Sequence, residues 1–359
     1  MINIQEFITK DNITENDIRD ISEYINYNFN NISNELREKI LLKLCQTEIG
    51  SDNTASTIIE NFKNISDEVK NSLFNLAKNP LSSKNVSVIL QYKYYTLPND
   101  YRNKLLESLD INNESVIPIS HIINEAFKNI PIDIREKIIL ELANYKEAEF
   151  YRLKVLKFNF DNIIDNVREK LLISISSIDK INKPVSFIVR DKVKKISPDC
   201  LGEVLLNLLS GNCTKFTTYI ARDYFYLISE KYKYKVLEKL IDNYYSKTTN
   251  KLELNNLSEL LTVLYIIIRG YDKYLDKSYC NNLLEKLSLE PKSIWGIVGC
   301  LIRNFDNLEP DIRNKLLINV SENIQVKDSI VHILTNKSDK IPTDIKNVLK
   351  NKLNINLEE

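Results

Sequence analysis

The sequence predicts an all-α protein, a right-handed α-solenoid of about ten antiparallel helix pairs. Near-copies of the stretch 127–143 recur about every 33 residues from one end of the chain to the other. In that stretch Ile130, Ile134, Ile138 and Leu142 follow the 3.6-residue period of a helix. A second apolar stripe precedes them. Each repeat therefore predicts two helices with one apolar face each, and neighbouring repeats must stack to bury both faces.

The repeats align on one apolar position, the anchor residue. The ten anchor residues are Ile32, Ile65, Leu97, Ile130, Ile163, Ile196, Ile228, Leu275, Leu308 and Ile341. An aromatic residue lies three positions before the anchor in seven repeats, and the eighth position after it is always Ile, Leu or Val. Chance alignment of a Leu/Ile-rich chain reproduces one such column, so several columns at one period indicate a true repeat.

The order of elements follows from this period. Residues 1–16 are predicted to cap the N-terminus, because a terminal repeat needs an atypical outer face. Repeats 1 to 7 follow evenly, and about 14 residues are then added within 243–258, between repeats 7 and 8. Insertions in solenoids project from one face and often bind ligands; a longer helix or a disordered linker is the alternative. Since one period runs throughout, we expect a single domain, 1–359.

Helix starts are also visible in the sequence. Ser197-Pro198 and Glu309-Pro310 place proline at a first helical position, where the missing N–H has no partner to lose. Ser33 and Ser66 are candidate N-caps of the second helices. These signals agree with a second helix that begins near the anchor of each repeat.

A basic residue lies five positions after the anchor in eight repeats. They are Arg37, Lys70, Arg102, Arg135, Arg168, Lys233, Arg313 and Lys346. Such a column could read phosphates. The third position is acidic in seven repeats, where the helix dipole favours it. The favoured interpretation is a charge ladder, in which an acid of one repeat lies beside the basic residue of the next.

Composition indicates a protein without a membrane span or a secretion signal. The chain has 49 basic and 49 acidic residues, but 180–251 holds 14 basic and 7 acidic ones. The five cysteines form no CxxC pair and are expected to be small buried hydrophobes of a reducing compartment. No apolar run approaches the roughly 20 residues of a membrane helix. A cytoplasmic location is the expectation.

The repeat resembles those of HEAT-like proteins, of the armadillo/HEAT class. Residues 131–135, Pro-Ile-Asp-Ile-Arg, are similar to the Asp-x-x-Val-Arg entry into a HEAT inner helix, and 309–313 repeat the pattern. Similar arrays occur as repeat arms of bacterial and archaeal signalling NTPases. The chain contains no GxxxxGK[ST] loop, so the resemblance implies an arm without the NTPase domain.

No catalytic set is predicted. The two histidines, His121 and His332, lie six repeats apart and cannot share a metal ion, and no Ser/His/Asp or Cys/His arrangement can be assembled. We therefore expect no enzyme activity, no cofactor and no metal. The enzyme alternative, a HEAT-like base-excision enzyme, follows from fold analogy alone.

The segment 190–251 is the predicted binding region, because it combines the basic excess with tyrosines and the irregular length. Eleven of nineteen tyrosines lie between Tyr219 and Tyr279. The candidate binding residues are Arg190, Lys192, Arg222, Lys233, Lys235, Tyr234, Tyr244 and Tyr245. The expected function is a non-catalytic scaffold that binds a protein or peptide, with an acidic segment as first choice. Single-stranded nucleic acid is the alternative partner, and the oligomeric state is left open.

Overall fold

The computed structural model describes residues 4–9, 13–211, 214–248, 257–271 and 273–355. Within these ranges the chain forms 21 α-helices and no β-strand, apart from an isolated bridge between Tyr271 and Leu275. After a short first helix, the other twenty form ten consecutive pairs. The predicted all-α helical-repeat fold is confirmed. No helix in the described ranges is long and apolar enough to span a bilayer.

Each pair has a first and a second helix, and α1 (Ile4–Thr9) precedes them all. The first helices are α2 (Glu15–Asn28), α4 (Ser51–Glu60), α6 (Ser83–Lys93), α8 (Val116–Ala126), α10 (Glu149–Asn159), α12 (Asn182–Lys192), α14 (Thr214–Tyr224), α16 (Leu257–Gly270), α18 (Ile294–Asn304) and α20 (Lys327–Asn336). The second helices are α3 (Asn34–Leu44), α5 (Asp67–Lys78), α7 (Asn99–Ser108), α9 (Ile132–Leu142), α11 (Asp165–Ser176), α13 (Pro198–Ser210), α15 (Glu230–Thr248), α17 (Lys277–Ser288), α19 (Pro310–Val320) and α21 (Thr343–Leu353).

The chain divides into two compact units, Met1–Ile175 and Ser176–Glu359. Within each unit, first helices pack against first helices of neighbouring pairs, and second helices against second helices. This arrangement gives each unit two helical layers with the apolar faces between them. The boundary falls inside α11, where the repeat pattern is unbroken, and the single domain expected from the sequence stays a prediction.

In eight of the ten pairs, one turn of 3₁₀ helix and the extended anchor residue join the two helices. In repeat 4, α8 ends at Ala126, Phe127–Asn129 form the turn, and Ile130 has φ −93° and ψ 131°. The prediction that Ile130 belongs to the second helix is therefore wrong, since α9 begins two residues later. Pro131 explains this start, because a proline disfavours helical backbone at the residue before it.

The predicted start signals lie where the second helices begin. The Ser66 side chain accepts a hydrogen bond from the Val69 N–H, and Ser197 accepts one from the Cys200 N–H. Pro198 and Pro310 occupy first helical positions. Ser33 is also at an N-cap, although its side chain makes no capping hydrogen bond.

The N-terminal segment and the insertion are described in part. Helix α1 packs against α3, and Lys43 Nζ of α3 donates to the carbonyls of Phe7 and Ile8 at 2.7 and 3.2 Å. Helix α15 is 19 residues long, so part of the added length between repeats 7 and 8 extends this helix. Residues 249–256 of the predicted insertion lie outside the described residues.

Four of the five cysteines are buried thiols: Cys45, Cys200, Cys280 and Cys300. Burial raises the pKa of Cys45 to about 11 and that of Cys280 to about 12, so these thiols stay protonated at neutral pH. They pack as small hydrophobes, as expected from the sequence. Cys213 lies outside the described residues.

Six of the eight residues in the basic column after the anchor are buried, and the other two, Lys70 and Lys346, are half-buried. Arg135 is only 6% exposed, and its guanidinium carbon lies 4.1 Å from the centroid of the Phe127 ring. Its Nη1 donates to the Phe127 carbonyl at 3.1 Å, and its Nη2 donates to the Asn162 carbonyl at 2.8 Å. Asn162 belongs to the 3₁₀ turn of the next repeat, so Arg135 links the turns of two successive repeats.

Other repeats use the same link. Arg37 and Arg313 donate to the Asn64 and Lys340 carbonyls of the following repeats, at 3.1 and 2.6 Å. Each of these arginines also lies over the aromatic residue three positions before its own anchor. The acids that contact the column belong to the same repeat: Asp67 with Lys70, Glu136 with Arg135, Asp165 with Arg168, and Glu230 with Lys233.

The expected charge ladder and phosphate-reading stripe are therefore both wrong for this column. A planar guanidinium can stack on a ring while its two forked nitrogens reach two separate carbonyls. That geometry satisfies the turn carbonyls and covers the charge, so the buried arginines of this column link successive repeats.

Helices α13 and α15 approach closely at Gly202, and this contact predicts the effect of a substitution on stability. At Gly202 of α13, an added Cβ would lie 2.4 Å from Tyr232 Cβ in α15 and 2.6 Å from Cγ. Gly202→Ala should lower the free energy of unfolding by about 1 to 3 kcal/mol through overpacking, in spite of a gain of about 1 kcal/mol in helix propensity. Urea unfolding followed by far-UV circular dichroism measures the change.

Gly299→Ala is the matched control. Its added Cβ would meet only Ile268 Cδ1, at an ordinary 3.6 Å. The higher helix propensity of alanine should leave this variant unchanged or more stable. Equal losses of stability in Gly202→Ala and Gly299→Ala would contradict the overpacking explanation.

Candidate interaction surface

Three neighbouring first helices of the second unit carry the same pair of side chains. Arg190 of α12, Arg222 of α14 and Arg269 of α16 each lie six residues before their anchor. An aromatic residue precedes each arginine by three or four positions, which places both side chains on one helix face. The guanidinium carbons lie 5.2 Å from the Phe187 ring, 5.1 Å from the Tyr219 ring and 4.6 Å from the Tyr265 ring, respectively.

Contacts between the helices join these pairs into one surface. The Arg222 guanidinium also lies 5.6 Å from the Tyr265 ring of the next first helix. The Phe187 and Phe216 rings meet edge to face with centroids 5.1 Å apart, which links α12 to α14. We call this the Arg–aromatic surface. It consists of Phe187, Arg190, Phe216, Tyr219, Arg222, Tyr265 and Arg269.

Two depressions lie along the Arg–aromatic surface. The larger, of about 440 Å³, is a groove lined by Tyr219, Arg222, Leu261, Thr262, Leu264, Tyr265, Ile268 and Gly296. The smaller, of about 100 Å³, lies between α12 and α14 and shares Tyr219 with it. Leu261 and Tyr219 are exposed, and Trp295 is exposed next to Gly296. The surface thus combines apolar walls with arginine donors, the composition of protein-binding hot spots.

Acidic residues on the same helices partly offset the arginines. Arg190 Nε donates to Asp191 Oδ1 at 3.0 Å, and Arg222 donates through Nε and Nη2 to both oxygens of Asp223. The hydrogen bond with Asp223 raises the pKa of Arg222. Helix α16 has Gly270 after its arginine. Across α12, α14, α16 and α18 there are seven basic and three acidic residues, and one of those acids, Glu259, is fully buried.

The structure does not bring the eight predicted binding residues together. Arg190, Lys192 and Arg222 lie on first helices, with Arg190 exposed, and Lys192 and Arg222 half-buried. The other five lie on α15, a second helix, and therefore belong to the other layer of the unit. They are Lys233, Tyr234, Lys235, Tyr244 and Tyr245.

Two of the five residues on α15 are buried and are therefore not accessible to a partner. Lys233 is 4% exposed and pairs with Glu230, and Tyr244 is 2% exposed. Both were predicted to contact a partner, and neither can, because the apolar face of α15 packs into the core. They belong to the packing of the unit.

The remaining three residues of that group are accessible to different extents. Lys235 is exposed. Tyr234 is half-buried, accepts a hydrogen bond from the Asp276 N–H at 3.2 Å and meets the Tyr279 ring edge to face. Tyr245 packs edge to face on Tyr244. Their role in binding stays a prediction.

Sequence reasoning missed Phe187, Phe216, Tyr265 and Arg269. The available signal was a basic column six positions before the anchor, with an aromatic three or four residues earlier in each of three successive repeats. The basic excess of 190–251 pointed to two of the three arginines. Arg269 lies beyond that segment, so a count of charge by segment could not include it.

Comparisons with known proteins do not assign this chain to a family. No protein-family model matches the sequence, and no curated protein matches it. Among solved structures, the chain is similar to a circular tandem repeat protein with novel repeat topology and enhanced subunit contact surfaces. The identity is 13%, the match covers 95% of this chain and 75% of that chain, and the TM-score is 0.21. A TM-score this low indicates neither how the repeats are arranged nor what they bind.

Proposed function

We propose that this chain is a non-catalytic helical-repeat scaffold that binds a protein or peptide segment at the Arg–aromatic surface. The observation that carries this proposal is the recurrence of an arginine over an aromatic ring on three successive first helices. Aromatic residues and arginine supply most hot spots in protein interfaces. A stacked guanidinium is pre-organised, so it loses little side-chain entropy when a partner accepts its hydrogen bonds.

The repeat class and the location are part of the same proposal. We assign the repeats to the HEAT-like class because 131–135 and 309–313 resemble the entry to a HEAT inner helix. Four buried cysteine thiols suit a reducing compartment, which supports a cytoplasmic location. A helical array of this class acts through the partners that it holds.

Single-stranded nucleic acid is the second candidate partner. Arginine and aromatic side chains also stack on bases, and the net basic charge of the four first helices favours a phosphate backbone. Asp191 and Asp223 already pair with two of the three arginines, however, so this surface offers little net positive charge to the continuous charge of a phosphate backbone. The protein partner is therefore the better match.

A paired-bait capture experiment tests the proposal. The triple variant Arg190→Gln/Arg222→Gln/Arg269→Gln removes the three guanidinium groups, and Lys39→Gln/Lys84→Gln/Lys137→Gln removes equal charge from exposed positions of the first unit. A partner retained by the wild-type and lysine-variant baits should be bound at least about tenfold more weakly by the arginine variant. Circular dichroism and thermal melting establish that all three chains fold.

Equal binding of that partner by all three baits would place its site elsewhere on the chain and refute this surface as the binding site. Salt titration separates the two classes of partner. Binding to a single strand should fall linearly on a log–log plot, with a slope of about −0.7 per phosphate contacted.

A further inference from the structure

We infer that the Arg–aromatic surface binds a polyproline II segment with an acidic residue at every third position. This inference rests on the proposed function and specifies the partner of the same surface. Three features of the surface carry it: the spacing of the first helices, the shape of the groove between α14 and α16, and the unused donors of the arginines.

The spacing of the arginines sets the register. Arg190, Arg222 and Arg269 occupy equivalent positions on adjacent first helices, and packed helices lie about 8 to 10 Å apart. A polyproline II helix has three residues per turn and rises about 9 Å per turn, so every third side chain points the same way at that interval. A fully extended strand does not match, because the side chains on one of its faces recur every second residue, only about 7 Å apart.

The groove selects a thin ligand. Its volume of about 440 Å³ is that of a few side chains, whereas an α-helix with its side chains is about 10 to 12 Å across. The walls are the Tyr219 and Tyr265 rings with Leu261, and Tyr219 is 41% exposed. Flat aromatic walls accept proline rings in the grooves that bind proline-rich segments. The carbonyls of a polyproline II segment have no internal partners, so tyrosine hydroxyls can donate to them.

The charges select acidic residues. Asp191 and Asp223 occupy the Nε and Nη2 side of their arginines and leave the Nη1 donors for a partner. A carboxylate that approaches this edge makes a charge-assisted hydrogen bond. A lysine placed there would face a guanidinium instead. A segment with an acidic residue at every third position can accept hydrogen bonds from the arginine Nη1 groups. The prolines between the acids can pack against the apolar walls of the groove.

Three fluorescent peptides of equal length test this inference by anisotropy. The first repeats Glu-Pro-Pro, the second has the same composition with all its glutamates together at one end, and the third repeats Lys-Pro-Pro. The first should bind wild-type protein at least about tenfold more tightly than the second, and the third should not bind. Arg222→Gln should weaken the first peptide most among the single arginine variants, because Arg222 contacts rings on two helices.

Control variants distinguish a failure of the proposed peptide spacing from a failure of the proposed binding function. Arg222→Lys retains the charge but loses the planar fork, so it should bind the first peptide with intermediate affinity. The Lys39→Gln/Lys84→Gln/Lys137→Gln variant should bind it like wild type. Equal affinity for the first two peptides, or no binding of either, overturns the inference. If an arginine-dependent protein partner is still captured in that case, the proposed function stands and only its partner chemistry is wrong.

Discussion

Arg135→Met is expected to lower the free energy of unfolding by about 2 to 4 kcal/mol, although it replaces a charged residue with an apolar one of similar length. The substitution leaves the Phe127 and Asn162 carbonyls without their donor and removes the stack on the Phe127 ring. It also leaves the buried Glu136 carboxylate without the Arg135 guanidinium, which lies 3.3 Å from it. An unpaired buried carbonyl costs about 1 to 3 kcal/mol. Urea unfolding followed by circular dichroism gives the difference.

Lys137→Met is the control for this effect. Lys137 lies on the same helix, and its Nζ is 3.6 Å from Glu107 of the preceding repeat, so it too pairs across repeats. Its side chain is 61% exposed, and exposed ion pairs contribute about 0 to 1 kcal/mol. If Arg135→Met costs no more than Lys137→Met, the buried link does not hold the repeats together.

Arg135→Lys adds a test of geometry. A lysine keeps the charge but cannot stack a planar group on Phe127 while bonding two carbonyls. We expect Arg135→Lys to have a free energy of unfolding between that of the wild type and that of Arg135→Met. Lys70 occupies the equivalent position of repeat 2, where its ammonium lies 5.0 Å from the Phe62 ring and pairs with Asp67. The column therefore tolerates lysine when an acid of the same repeat supports it.

The helix pairs were predictable because the formation of each helix depends on residues close together in the sequence. Apolar residues at helical spacing, the proline and serine starts, and a constant period together placed all ten pairs. The extended conformation of Ile130 was harder to predict. A buried residue next to a helix continues the same apolar spacing, so periodicity alone assigns it to the helix.

Burial of the arginine column could not be read from spacing, because arginine is usually exposed unless it is paired. The partners of Arg135 are a ring eight residues earlier and a carbonyl 27 residues later. The aromatic column before the anchor was recognised as part of the repeat, but its contact with the basic column depends on the turn that brings the two columns together. Composition likewise identified Arg190 and Arg222, yet it could not tell the buried face of α15 from its exposed face.

Phe127→Ala should have the largest effect, a loss of about 3 to 5 kcal/mol in the free energy of unfolding. Phe127 is a buried core residue, begins the turn between α8 and α9, and supplies the ring beneath Arg135. Its replacement therefore removes apolar packing and also leaves the guanidinium without its stacking surface. Urea unfolding under the same conditions measures the loss.

A double-mutant cycle separates these two contributions. If the stack holds Arg135 in place, Phe127→Ala combined with Arg135→Met should cost about 1 to 2 kcal/mol less than the sum of the single changes, since the second substitution removes a contact that is already lost. Phe127→Ala combined with Lys137→Met should be additive within about 0.5 kcal/mol. Additivity in both pairs would mean that ring and guanidinium act independently, and that Arg135 links successive repeats without support from the Phe127 ring.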